Sequence, residues 1–178
     1  MTVLSLSFFS ESEQLPRILR ACLSIPKKTL SLFRYQSITM AFLNGITVEV
    51  EIQAPLQKVW DYFSLPEHIT MWCQASPEWH APAAENDLRV NGSFKTTMAA
   101  KDGSMQFDFE GIYTEVEVGK LQHYTLGDGR KVEVTFASSD NGVRVREVFE
   151  PETQNPHDMQ AAGWQAILQS FKNYVETH

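Results

Sequence analysis

Residues 46–72 read ITVEVEIQAPLQKVWDYFSLPEHITMW, and the change of period inside this stretch decides the fold. Ile46, Val48, Val50 and Ile52 alternate with Thr47, Glu49, Glu51 and Gln53, the two-residue repeat of a strand with one buried face. After Ala54-Pro55 the repeat lengthens. Leu56, Val59, Trp60 and Phe63 stand at i, i+3, i+4 and i+7, and Pro55 falls in a first helical turn, where its missing N–H costs nothing. Leu65-Pro66 interrupts this helix. Pro66 then starts a second short helix with Ile69 and Trp72 on one side and Glu67, His68 and Thr70 mostly outward.

Downstream the chain reverts to strands. Asp102-Gly103, Asp128-Gly129 and Asn141-Gly142 each separate alternating runs and can supply the positive φ of tight hairpin turns. The spacing predicts strands near 78–82, 92–100, 104–118, 121–127, 130–138 and 143–150, seven with the opening strand, and Gly111 and Gly119 mark a bulge and a turn. Past Pro151, Asn155 is the expected N-cap of a long helix, with Pro156 at its first position and Asp158 in its first turn. Met159, Trp164, Ile167, Leu168, Phe171, Tyr174 and Val175 give it a wide apolar face, with Gln160, Gln165, Lys172 and Glu176 outside. Gly163 is costly inside a helix, so its expected use is close approach to the sheet. The fold class is α+β, a curved seven-stranded antiparallel sheet wrapped around a long C-terminal helix.

Particular strings sharpen this order of elements. Ala54-Pro55 with Val59-Trp60, Pro66-Glu67-His68 before Trp72, Asp87-Leu88-Arg89-Val90 with Gly92, Phe109-Glu110-Gly111, and Gly163-Trp164 with Leu168 span about 130 residues. In that order the chain resembles the SRPBCC (START-like, helix-grip) superfamily, in the branch related to the activator of the heat-shock-protein-90 ATPase. Where that branch commonly has two glycines after the Asp-x-Arg-x strand, this sequence has Asn91-Gly92, which still permits a left-handed turn. The resemblance implies a helix-grip fold and a place among proteins with many activities, since fold alone does not fix function. The full activator is by the same resemblance a two-domain protein, and the leading residues here are too few for a second domain. Chaperone activation is therefore the runner-up reading.

Length and charge bound the rest. The 178 residues make one sizeable core, and 43% hydrophobic with 21% charged residues is an ordinary globular balance. The net charge of −7 is uneven, because the first 40 residues carry five basic side chains against two acidic ones. The acidic remainder would repel a phosphate backbone or an anionic lipid surface, so neither nucleic acid nor membrane is the expected partner. Residues 1–39 are expected to be a poorly ordered or weakly helical extension, and 40–178 a single domain. Ser5, Ser7, Ser10 and Glu11 break up what a secretory signal would need as an apolar run. Two cysteines, Cys22 and Cys73, without metal-ligand spacing fit a reducing, cytoplasmic compartment and no structural zinc.

The conspicuous chemistry is aromatic. Trp60, Phe63, Trp72, Trp79, Phe107, Phe109, Tyr113 and Trp164, with Leu168, are the candidates to line an apolar cavity between sheet and helix, although any one of them is more readily explained as core. Asp87 and Arg89, two apart on one extended segment, read first as an ion pair and second as a polar handle at a pocket mouth. His80 and His123 fall on strands and could act near neutral pH, but a lone strand histidine is more often only hydrogen-bonded. Asp108 and Glu110 alternate with Phe107 and Phe109 and so face water. With no phosphate loop, dinucleotide fingerprint or metal motif, no catalytic set, metal or cofactor is assigned. The preferred function is binding of a small hydrophobic or amphipathic molecule. The alternatives are a chaperone ATPase-activator-like stress protein and a cofactor-free cyclase- or hydrolase-like enzyme. Nothing in the sequence fixes an oligomeric state.

Overall fold

The change of period at Ala54 is a change of element. In the computed structural model, which describes residues 44–178, strand β1 (Ile46–Ile52) is followed by helices α1 (Leu56–Ser64) and α2 (Pro66–Trp72). Strands β2 (Trp79–Asn86), β3 (Ser93–Ala100), β4 (Gln106–Glu117), β5 (Leu121–Leu126), β6 (Lys131–Ser139) and β7 (Gly142–Phe149) come next, and helix α3 (His157–Thr177) ends the chain. The extension expected over residues 1–39 lies outside the described residues.

The strands form one antiparallel sheet in the order β1-β7-β6-β5-β4-β3-β2. From β2 to β7 each strand pairs with its sequence neighbour, and β1 closes the far side against β7 with Val50 opposite Val145. The curved sheet, the two small helices and the final helix make a helix-grip arrangement. The hairpins turn where the Asp-Gly and Asn-Gly pairs stand: Gly103, Gly129 and Gly142 all have positive φ, and Asn91 takes the left-handed conformation at φ 65°. Gly142 is also the tightest fit of the three, since a Cβ there would sit 2.1 Å from the Ile52 carbonyl oxygen.

The core lies between the concave face and α3. Ile52, Val132, Val134, Val143, Val145 and Phe149 rise from the sheet to meet Leu168, Phe171 and Val175, each no more than 1% exposed. Phe171 sits edge-on to Phe63 at 5.2 Å and tilted against Trp72 at 4.9 Å, which joins α3 to both short helices. Aromatic pairs of this kind add about 0.5–1.5 kcal/mol beyond area burial.

Helix α3 also fastens the free edge of β1. The Glu49 N–H donates to Gln165 Oε1 (3.3 Å), and Gln165 Nε2 donates back to the Glu49 carbonyl (3.1 Å). Lys172 Nζ donates to the Glu51 carbonyl (2.6 Å), and the Gln53 N–H donates to Glu176 Oε1 (2.8 Å). An edge strand left with open N–H and C=O groups invites pairing with another chain, and these side chains occupy them instead.

Several local expectations are corrected. Strand β2 runs to Asn86, with a register shift between His80 and Ala83 at Pro82, because proline cannot continue a ladder but is tolerated at an edge. Helix α3 starts one residue later than expected, with Pro156 as its N-cap and no capping bond from Asn155, whose side-chain amide donates to Glu152 Oε1 instead (2.7 Å). Gln160, expected outside, is buried. Its amide donates to the carbonyls of Glu152 (3.1 Å) and Asn155 (2.8 Å) and so ties the link to the helix, while Met159, expected inside, is 60% exposed. Gly163 has open space where a Cβ would stand. Within the sheet it is Gly111 that is closely approached, where a Cβ would lie 2.6 Å from the Thr125 carbonyl oxygen and 2.9 Å from the Phe94 ring.

Candidate functional site: an apolar pocket under the final helix

The core does not fill all of the space inside the curve. Between the β2–β5 half of the sheet, the two short helices and α3 lies a pocket of about 280 Å³. Phe63, Ile69 and Trp72 wall it from α1 and α2, Phe94, Thr96, Met98, Phe109 and Tyr113 from β3 and β4, and Trp164 with Ile167 from α3. The walls are positioned by packing. The Trp164 ring stacks on Phe149 with centroids 4.0 Å apart and meets Phe109 edge-on at 5.8 Å. Trp72 is oriented by its indole N–H, which donates to the Tyr62 carbonyl at 2.8 Å.

A few polar groups converge on this space. Tyr113 donates its hydroxyl to Asn86 Oδ1 (3.0 Å), Asn86 donates to the Ser64 carbonyl (2.6 Å), and Gln122 Nε2 donates to Ser64 Oγ (3.0 Å). The end of α1 is thereby fixed to β2, β4 and β5. Burial holds the Tyr113 and Tyr124 hydroxyls protonated well above the usual phenol range. Cys73 donates to Met98 Sδ at 3.5 Å, and its thiol is pushed up to about 12, chiefly by burial and then by Glu147; a thiol so placed is a poor nucleophile.

Glu147 is the polar residue that sequence reasoning missed. Strand β7 points Val143, Val145, Glu147 and Phe149 inward while Arg144 and Arg146 are exposed, so Glu147 stands on the pocket wall with 8% of its surface exposed. Burial pushes its carboxyl up to about 8, far above the ordinary value of 4.5. The signal was present in strict alternation from Val143. Across the sheet Glu147 pairs with Val134, and Val134 with Gln122, so two polar side chains share one inward row with a valine between them.

The expected site residues separate into groups. Phe63, Trp72, Phe109, Tyr113 and Trp164 are on the wall, and Phe107, 48% exposed, is at its mouth. Trp60 packs edge-on to Phe136 at 5.0 Å, and Leu168 is 1% exposed in the core. Trp79 stands beside Phe107 (5.8 Å) at the start of β2, outside the lining, as does His80. Asp87 and Arg89 form an exposed ion pair of 2.7 Å. His123 lies on the opposite face of β5 from the pocket residues Gln122 and Tyr124, with Nε2 2.7 Å from Glu133 and Nδ1 3.4 Å from Glu115. Asp108 faces outward and accepts from Thr97 (2.8 Å) and Lys95 (3.1 Å). Among the described residues no group of three or more His, Cys, Asp or Glu could hold a metal ion, and no helix is long and apolar enough to cross a membrane.

Comparison with known proteins agrees with the fold. The family model described as activator of Hsp90 ATPase homolog 1-like protein matches residues 53–176. The solution structure of the AHSA1-like protein from Aeromonas hydrophila is similar over 75% of this chain and 96% of its own, at 41% identity and a TM-score of 0.70. Protein Chr148 from Cytophaga hutchinsonii is 56% identical over 75% of this chain and 92% of its own, with a TM-score of 0.66. Protein CV1439 from Chromobacterium violaceum is 25% identical over 76% and 99%, with a TM-score of 0.68. No curated protein sequence matches the chain.

Proposed function

The chain belongs to the activator of Hsp90 ATPase homolog 1-like family, and from that premise we propose that it is a cytoplasmic binding protein holding a small hydrophobic or amphipathic molecule between the sheet and α3. The observation that carries this reading is the pocket itself. It is aromatic-walled, and at about 280 Å³ it falls at the lower edge of the range of about 300–1,000 Å³ typical of small-molecule sites. It also carries a few convergent polar groups. Such a space inside an otherwise close-packed domain has a use when a ligand fills it.

Native mass spectrometry of freshly purified protein is the direct test. A bound mass, lost in Trp164→Ala, is the expected result, together with a rise in melting temperature for some members of a library of small apolar compounds. An empty mass and no thermal shift across that library overturn the reading. A second reading, action on a chaperone ATPase, is favoured only by the description of the family model. It predicts altered ATP turnover of a purified chaperone of that class on addition of this protein.

A further inference from the structure

Three buried polar side chains on the pocket wall, those of Thr96, Tyr124 and Glu147, have no hydrogen bond to any described residue, and the last two carry the acidic protons. Tyr113 is committed to Asn86, and Gln122 to Ser64, but the Glu147 carboxyl and the Tyr124 hydroxyl make no such bond although the residues are 8% and 7% exposed. Both line the pocket. They rise from the same face of β7 and β5 on either side of β6, with Glu147 opposite Val134 and Tyr124 opposite Val132. Val134 and Val132 are two residues apart on β6, so the two backbones are about 12 Å apart, two strand spacings across and two residues along, a gap that a long phenol and a glutamate side chain can span to one ligand atom between them.

We propose that the pocket receives an uncharged molecule with a mostly apolar body and one oxygen acceptor of the carbonyl type, which accepts hydrogen bonds from the Glu147 carboxyl and the Tyr124 hydroxyl. The proposal rests on the binding reading above and names the ligand class. Charge on the wall decides against the alternatives. The other titratable or charged groups lining the space are Cys73 from the end of α2, Glu85 from β2, Tyr113 from β4 and Arg130 before β6; β3 and α3 contribute none. The only cation among them, Arg130, is held by Asp128 at 2.7 Å and donates to the Glu150 carbonyl. A buried carboxylate with no cation is costly, so Glu147 keeps its proton and is a donor, in agreement with the upward displacement of its pKa. A neutral carboxyl beside a phenol in an apolar site is suited to donate to a carbonyl oxygen. An amine would have to ionise Glu147 and desolvate an ion pair, and a carboxylate ligand would be a buried anion with no free cation to pair it.

Three probes of one skeleton test this on the full chain: acetophenone, 1-phenylethylamine and ethylbenzene, titrated by amide-resolved NMR. At pH 6.5 acetophenone is expected to bind about tenfold more tightly than ethylbenzene, the difference one or two net hydrogen bonds supply, and more tightly than the amine. This preference should fall as pH rises past about 8, the Glu147 value, shrink to about twofold or less in Glu147→Leu, and persist in Glu147→Gln, which keeps a donor. Equal binding of ketone and hydrocarbon overturns the proposal and leaves the binding reading standing. Tightest binding by the amine, strengthening toward pH 9, overturns it in favour of a cationic ligand. No binding by any probe removes both. If Glu147→Leu does not fold, the wild-type pH series and Glu147→Gln decide the matter.

Discussion

The two ends of the sheet solve different problems with the same kind of strand. At the β1–β7–β6 end, small β-branched residues pack directly on α3, and the helix also hydrogen-bonds the outer edge of β1. At the β2–β4 end, large aromatics meet the helix only where Phe109 touches Trp164, leaving the pocket, and β2 breaks register at an edge proline. Valines and isoleucines fill space completely because they are short and conformationally restricted. The rings at the other end meet tilted or edge to face, with centroids 4.8–5.8 Å apart, and leave gaps. The division teaches that one continuous sheet can hold a close-packed core at one end and an open pocket at the other.

The largest effect should come from breaking the filled end. Ile52→Ala removes a side chain that is 0% exposed, and unfolding by denaturant is expected to show a loss of about 2–5 kcal/mol. A loss below about 1 kcal/mol would mean that this end is not the stabilising half. Glu147, which borders both ends, sharpens the comparison through pH. Its folded pKa lies above the unfolded one, so between about 4.5 and about 8 the native state holds a proton that the unfolded chain has released. Stability is then greatest below the lower value, falls as pH rises through that window by about 1.4 kcal/mol per pH unit, and levels off above it. Glu147→Gln should flatten this fall in a series of melts from pH 4.5 to 8.5. An unchanged slope would assign the carboxyl an ordinary pKa. The smallest stability effect belongs to Phe107→Ala at the pocket mouth. Because Phe107 is 48% exposed, its removal should cost no more than about 0.5 kcal/mol while weakening whatever ligand the wild-type protein retains. Loss of stability without loss of ligand would make Phe107 a packing residue.

How much of this was legible in the sequence follows the same division. The strands and their turns could be read because Asp-Gly and Asn-Gly pairs announce positive φ and because β1 and β7 alternate strictly. The face of β5 could not be read, since Leu121, His123 and Thr125 are no less apolar as a set than Gln122, Tyr124 and Leu126. Only the tertiary fold places Gln122 and Tyr124 inward and gives His123 to the Glu115–Glu133 side. Glu147 escaped notice because a charged residue in a strand is ordinarily solvated, although the positions of Val143, Val145 and Phe149 pointed to it. At the start of α3, periodicity alone put Met159 inside. The tie of Gln160 to the preceding link involves backbone carbonyls and leaves no trace in the hydropathy pattern.

The fastening of β1 by Gln165, Lys172 and Glu176 reads main-chain atoms and ignores the identity of the residues it holds. Drift at the outward positions Thr47 and Glu49 therefore leaves the attachment intact, provided proline does not arrive at Glu49 or Gln53 and delete a donor. The demand for particular side chains at this joint falls on one face of the helix, and the strand beneath it needs only to keep its path.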